Sequence, residues 1–356
     1  MEPTSKAASP VIVSAVDRIE AGIHLSRSDA EAVMEDLLSG RCEDAQIARL
    51  LISLRAKGET LDELIGFAAV MRRHARPIFA NSTAPPADAF VDTCGTGGDA
   101  KGTFNISTGA AFVAAGAGAR VAKHGNRSIS SRCGSADVLE ALGVCLDVPV
   151  ERMGEAIQQI GIGFLFAPTV HTAMKHAAAA RRQVGGRTIF NLLGPLTNPA
   201  GATAQVLGVF DARISELMAR ALEALGCKRA FVVHGVDGLD EISLSGETFV
   251  TELRDGTVRS YTVVPEDFRL RRTPLEALAG GGPAENARII RSILNGEHGP
   301  PREVVLANAA AALVAAGCAT DWLDGVRLSA KSIDSGAALR KLDALTEFTN
   351  AQSFVS

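Results

Sequence analysis

The sequence predicts an α/β protein: a small all-helical N-terminal domain, then a large α/β domain with a mostly parallel central sheet and flanking helices. Three observations carry this. Residues 11–80 show helical spacing and helix-capping signals throughout. After Pro86, short apolar runs alternate with small-residue helical segments, the pattern of a parallel sheet covered by helices. The chain has 356 residues, room for two domains of roughly 100–200 residues each.

In the first segment, Ile47, Leu50, Leu51 and Leu54 recur on one helical face. Ser28 with Glu31 and Thr60 with Glu63 read as capping boxes, and Gly40 and Gly58 read as helix stops. The polar, Pro-rich stretch 81–86 reads as a linker. The expected division is a helical domain over 11–80, joined by part of 165–190, and an α/β domain over 87–350. Strands are expected at 89–92, 119–123, 187–190, 205–210 and 230–233, with helices at 107–116, 136–142 and 214–225. Residues 246–264 alternate like a hairpin, and the chain is mostly helical from Pro274. The Ala-rich run 304–318 reads as a buried helix.

Composition excludes several classes. Hydrophobic residues are 47% and charged residues 21%, ordinary globular usage that rules out disorder. The net charge of −4 gives no electrostatic reason to coat nucleic acid or an anionic membrane. No run of about 20 apolar residues is present, so no membrane span is expected. The polar start, with Glu2 and then Asp17-Arg18, does not read as a signal peptide, and the expected compartment is the cytoplasm. The six cysteines are scattered without a C-x-x-C pair, a spacing that suits neither zinc nor a disulfide framework. Glycine is abundant (35) and aromatics are only 4%, which suggests tight backbone turns around a small ligand.

Four segments carry chemistry. The first, DTCGTGGD at 92–99, ends an expected strand. Gly95, Gly97 and Gly98 permit a sharp turn whose N–H groups can form an anion-binding hollow. The next helix opens with Asn105, Ile106, Ser107 and Thr108, whose N–H groups and dipole attract phosphate. The G-x-G-G spacing is neither a dinucleotide fingerprint nor a Walker A loop.

The second segment, KHGNRSISSR at 123–132, follows the second strand and so shares the carboxyl edge of the sheet, where open α/β sheets bind ligands. It offers Lys123, His124, Arg127 and Arg132, with hydroxyls on Ser128, Ser130, Ser131 and Ser135 and the amide of Asn126. It reads as a basic lid over an anion. The third is Asp240-Glu241, placed in a loop because adjacent carboxylates cannot both face inward on a strand. Hard oxygen donors beside phosphates suit Mg²⁺. The fourth is Arg181, Arg182 and Arg187. From residue types alone, a basic helix end with favourable dipole charge explains these better than carboxylate binding does. No nucleophilic triad is visible.

Six motifs then occur in order: DTCGTGGD, NIST, KHGNR, GSADVLEALG, RTIFNLLGPLTNP and DGLDE. Together they resemble the anthranilate phosphoribosyltransferase family over about residues 15–345. The resemblance implies a homodimer that transfers 5-phosphoribosyl from phosphoribosyl pyrophosphate to the anthranilate amine, in tryptophan biosynthesis. It implies donor binding by Gly95, Gly98, Asp99, Thr103, Asn105, Ile106, Ser107 and Thr108, and by the loop Lys123, His124, Gly125, Asn126, Arg127, Ser128, Ile129, Ser130 and Ser131 with Ser135. It implies Mg²⁺ on Ser107, Asp240 and Glu241, and anthranilate on Gly95, Asn126 and Arg181. Lys123 and His124 would act electrostatically, with no dedicated catalytic group, because an aryl amine is already neutral at pH 7. Thr172 stands where the family usually has proline, and Val170 precedes His171. Two alternatives share the scaffold. One is a pyrimidine nucleoside phosphorylase, which would not need Asp240-Glu241. The other is a non-enzymatic nucleic-acid binder, which should be basic.

Overall fold

The computed structural model describes residues 8–79, 90–99, 101–128 and 132–351. Four helices come first: α1 (Pro10–Glu20), α2 (Arg27–Leu38), α3 (Asp44–Lys57) and α4 (Leu61–Arg73). The Thr60/Glu63 capping box forms as the sequence suggests. The box at α2 does not: Ser26 caps and Asp29 answers it, two residues earlier than the Ser28/Glu31 reading. Glu31 instead pairs with Arg27 and Arg73 on the surface. Gly58 ends α3 at φ +85°, a backbone region that glycine enters without penalty.

The α/β domain begins with β1 (Phe90–Gly95), α5 (Ile106–Gly116), β2 (Arg120–Gly125), α6 (Ser135–Ala141), α7 (Val150–Gln159) and β3 (Ile162–Phe166). The chain then makes α8 (Ala167–Val170), α9 (Ala178–Val184) and α10 (Ile189–Leu196). Next come β4 (Ala204–Gly208), α11 (Ser215–Ala224), β5 (Arg229–Gly235), β6 (Thr248–Arg254) and β7 (Thr257–Val263). Four helices close it: α12 (Pro283–Leu294), α13 (Pro300–Ala315), α14 (Trp322–Asp334) and α15 (Ala337–Asn350).

The sheet has seven strands in the order β3-β2-β1-β4-β5-β6-β7. The first five are mutually parallel, and β6 and β7 add an antiparallel hairpin. Two expectations need correction. Residues 187–190 are not a strand; Thr188 and Asn191 cap a helix there, and the apolar run IFNLL packs as its buried face. The strand at β3 escaped the sequence reading because its run, IGFLF, continues the apolar face of α7 without a turn signal other than Gly161. The linker 81–86 lies outside the described residues.

Two large apolar cores flank the sheet. One holds α5 and α13 against one face, with Ala307, Ala309, Ala311 and Ala312 fully buried. The other joins α1–α4 to α10, α11 and the opposite face through residues such as Phe67, Leu193, Leu222 and Val232. The helical domain therefore packs directly on the α/β domain. Arg72 of α4 strengthens this by donating to the Leu196 carbonyl at 2.7 Å and the Leu225 carbonyl at 2.7 Å, at the ends of α10 and α11.

Among the described residues no helix is long and apolar enough to cross a membrane. Of the cysteines, Cys42, Cys133 and Cys227 are buried, and none forms a disulfide.

Candidate active site

The strand order reverses at β1. From β1 the chain steps outward to β2 and β3, then returns to lay β4 on the other side. Such a switch opens a crevice at the carboxyl ends of the two strands. Here those ends are Gly95 and Gly208, paired in register. Both must be glycine, because the loop carrying Asp240 drops into the crevice between them. A Cβ on Gly208 would lie 1.5 Å from the Asp240 carbonyl oxygen, and one on Gly95 would lie 2.6 Å from Asp240 Oδ2.

The two carboxylates are held from the β1–α5 side. Gly97 N–H donates to Asp240 Oδ2 at 3.2 Å, and Ser107 N–H, in the first turn of α5, donates to Glu241 Oε1 at 3.1 Å. Loss of surrounding water raises both carboxyls above the usual range; Asp99 pushes Asp240 further, and Asp240 pushes Glu241. Lys123 lies beneath them, almost fully buried, donating to the Thr93 carbonyl and to Ser107 Oγ at 3.4 Å. A hard cation suits this donor set: two mutually repelling carboxylates and a serine hydroxyl lie together, with the Lys123 ammonium beneath them. Asp240, Glu241 and Ser107 therefore fit Mg²⁺ by the chemistry of their oxygens.

The turn above offers free backbone donors. Among the described residues, the N–H groups of Gly98 and Asp99 make no hydrogen bond, and Gly97 and Gly98 hold φ of +67° and +77°. The Thr108 hydroxyl is buried and has no hydrogen-bond partner among the described residues.

Several expected donor groups are committed elsewhere. The Asn105 amide donates to the Cys133 carbonyl at 3.1 Å and its oxygen accepts from Asn286 at 2.9 Å, so the side chain stitches loops together. Ile106 is buried in the core. Thr103 forms a β-bridge with Ala279. Arg127 pairs with Asp137 at 3.0 Å and with both Glu140 oxygens, and stacks over Phe166, so its charge is already compensated. Ser128 N–H donates to Asp137 Oδ2 at 3.0 Å, and Ser135 Oγ donates to the Asn126 carbonyl at 3.3 Å. Ile129, Ser130 and Ser131 lie outside the described residues.

On the other side of Gly95 a cavity of about 410 Å³ opens, within the size of small-molecule pockets. Its walls come from both domains: Met71 of α4 faces Pro168, Met174 and Phe190, with His124 and Asn126 at the β2 edge. Its inner cation is Arg181, half-buried, with its guanidinium 5.0 Å from the Phe190 ring centre. Burial lowers its pKa from the ordinary arginine value, and no carboxylate partner is found for it among the described residues. His124 and His171 meet edge to face, ring centres 5.1 Å apart. Burial holds them neutral, near 3 and 4 respectively; the Gly194 carbonyl faces His124, and His171 Nε2 meets the Thr197 carbonyl at 3.0 Å.

Beneath both regions lies Asp92, fully buried, which accepts from His124 N–H at 3.1 Å and from Asn198 at 2.8 Å. Burial pushes its carboxyl up to about 6 against the pull of Lys123. The sequence reading gave Asp92, Met71 and His171 no role. Asp92 was visible as the first letter of DTCGTGGD; Met71 had no local signal at all.

The comparisons agree with this geometry. Residues 87–339 match the model of the glycosyl transferase family, a/b domain, and residues 13–75 that of its helical bundle domain. The anthranilate phosphoribosyltransferase of Syntrophobacter fumaroxidans is 57% identical over 326 residues, covering 92% of this chain and 95% of the relative. That of Pelotomaculum thermopropionicum is 54% identical, covering 95% and 97%. The crystal structure of anthranilate phosphoribosyltransferase from Thermus thermophilus superposes with a TM-score of 0.88 at 48% identity, covering 95% and 99%. The Saccharomyces cerevisiae enzyme in complex with PRPP and Mg gives 0.87 at 27% identity, covering 97% and 99%. With its switch-point crevice, carboxylate loop and helical bundle, the chain belongs to the anthranilate phosphoribosyltransferase branch of the glycosyl transferase family.

Proposed function

We propose that this chain transfers the 5-phosphoribosyl group from phosphoribosyl pyrophosphate to the amine of anthranilate, releasing pyrophosphate. One observation carries the reading. Gly95 is shared by two dissimilar regions, an apolar cavity with one half-buried arginine and an N–H-rich crevice with paired carboxylates. A flat aromatic acid suits the first and a diphosphate suits the second, so the two would meet at the end of β1.

In this reading Arg181 takes the acceptor carboxylate, while Phe190, Met71 and Pro168 enclose the ring. The N–H groups of Gly98 and Asp99 and the first turn of α5 receive the donor phosphates, with Thr108 Oγ1 available as a further donor. Asp240, Glu241 and Ser107 would hold Mg²⁺, which supplies positive charge to a diphosphate leaving group when bound. The amine lone pair attacks C1′ while the C1′–O bond electrons leave with pyrophosphate. Preformed donors around that leaving charge lower the barrier, because they need no reorganisation as it develops. Positioning supplies the rest. The arylammonium formed is a strong acid and gives its proton to water or to the departing pyrophosphate. His124 and His171, held neutral, add no charge against the acceptor's path.

The phosphorylase alternative gives Asp240 and Glu241 no task, and the −4 charge argues against a nucleic-acid binder. We further take the chain to act in the cytoplasm as a homodimer through the helical domain, where α1 and α3 expose Val11, Val13 and Ile52.

The test is the loss of anthranilate fluorescence with phosphoribosyl pyrophosphate and Mg²⁺, repeated with EDTA. A Mg²⁺-dependent decay is expected. No decay, with a melting temperature that still rises on adding phosphoribosyl pyrophosphate, would keep the donor and overturn anthranilate as acceptor.

A further inference from the structure

Arg187 opens the motif RTIFNLLGPLTNP but has no task in the mechanism above. Its surroundings are unusual for an exposed arginine. Among the described residues it has no carboxylate partner. Its guanidinium carbon lies over the Phe210 ring, 4.0 Å from the ring centre, and Nη2 donates to the Gly98 carbonyl. The fit is close: a Cβ on Gly98 would lie 3.1 Å from Arg187 Nε. The backbone of Arg187 is itself tied down, since Arg55 of α3 donates to its carbonyl at 3.2 Å and to that of Gly185 at 3.4 Å.

The Gly98 carbonyl matters because of the peptide it belongs to. Across a trans peptide, C=O and N–H point in opposite directions, and no cis bond is present among the described residues. While Arg187 holds the Gly98 oxygen, the Asp99 N–H must point away from it, and among the described residues that N–H has no partner. The lock is needed because Gly97 and Gly98 are both glycines at positive φ, where a peptide can rotate at little cost. A rotated peptide would replace a donor with a carbonyl oxygen and repel phosphate.

We propose that Arg187 is a positioning residue of the donor site: stacked on Phe210, it holds the Gly98 carbonyl so that the Asp99 N–H stays turned out to receive a phosphate oxygen. The inference rests on the donor half of the proposed function and adds the device that keeps the cradle in its binding form. It also ties the cradle to the helical domain through Arg55.

Gly98-Asp99 is the one Gly-Asp step in the sequence. Labelling with ¹³C-carbonyl glycine and ¹⁵N-aspartate therefore yields a single carbonyl-correlated amide signal, that of this peptide. In ligand-free enzyme, Arg187→Ala should move or broaden that signal. Inorganic pyrophosphate with Mg²⁺ should move it in the unaltered protein. In the steady state, Arg187→Ala should raise the KM for phosphoribosyl pyrophosphate about five- to tenfold, the loss of one charge-assisted hydrogen bond, with kcat and anthranilate KM within about twofold. Arg187→Lys, which keeps a donor but not the guanidinium over the Phe210 ring, should recover part of both effects, and Phe210→Leu should mimic a milder loss.

An unmoved Gly98–Asp99 signal in Arg187→Ala overturns the proposal, whatever the kinetics. So does an equal rise in both KM values. If the unaltered protein does not turn over, the proposed function fails instead, and the labelled signal still decides the role of Arg187.

Discussion

The crevice at β1/β4 and the cavity beside it share Gly95 but are built differently. The crevice is made of backbone and fixed charge: free N–H groups, two carboxylates and a lysine buried among them. The cavity is made of side chains from separate segments, Met71 on α4, Pro168 on α8 and Arg181 on α9. A site made of backbone accepts few substitutions and keeps its ligand. A site made of side chains from two domains can be reshaped one residue at a time. The difference predicts that damage on each side should be felt by only one substrate.

The largest effect is expected in the crevice. Asp240→Asn with Glu241→Gln should lower Mg²⁺-dependent turnover by on the order of 10²–10³-fold, the scale of losing preorganised electrostatic stabilisation, with anthranilate binding little changed. Full turnover at limiting Mg²⁺ would break the comparison at its centre. Arg181→Ala should do the reverse. It should raise anthranilate KM about tenfold or more, since a hydrogen bond to a charged group is worth about 1.5–3 kcal/mol, while donor affinity holds. Equal affinity of the variant for both substrates, relative to the parent, would dissolve the distinction.

The smallest effect concerns pH. His171 is held neutral in the fold, near 4, against an ordinary 6.5. Unfolding therefore takes up a proton between those values, so stability falls as pH drops from about 6.5 toward 4. His171→Gln keeps a donor for the Thr197 carbonyl and removes that uptake. Between pH 7 and 5 it should lose less stability than the parent, by on the order of 1–2 kcal/mol. Denaturant melts at the two pH values measure it, and identical losses would show that the proton uptake does not belong to His171.

The same contrast explains what the sequence disclosed. The crevice was legible because contiguous residues build it; DTCGTGGD, NIST and DGLDE each fold as a unit, so glycine spacing and adjacent carboxylates stand in one line of text. The parallel sheet was legible from alternation, and the β6–β7 hairpin from its period. Of the cavity, Gly95, Asn126 and Arg181 were named through the family resemblance; Met71 and Phe190 were not legible, because they come together only after the helical domain packs on the sheet. Arg127 looked like a free cation for want of knowing that α6 would present Asp137 and Glu140 to it. Asn105 looked like a phosphate donor because its amide's partners, Cys133 and Asn286, are remote in sequence. The run 187–190 read as a strand because helix and strand share short apolar runs, and only the Thr188/Asn191 cap separates them.

The fit of the Asp240 loop against Gly208 has a consequence for assembly. Strand β4 is buried along its whole length, and its last residue leaves no room for anything but the carbonyl of Asp240. Completing the sheet and seating the carboxylates are thus a single closing event, like a key that turns only in its own ward. A chain that misplaces the loop also leaves the carboxyl end of β4, between β1 and β5, ill-packed.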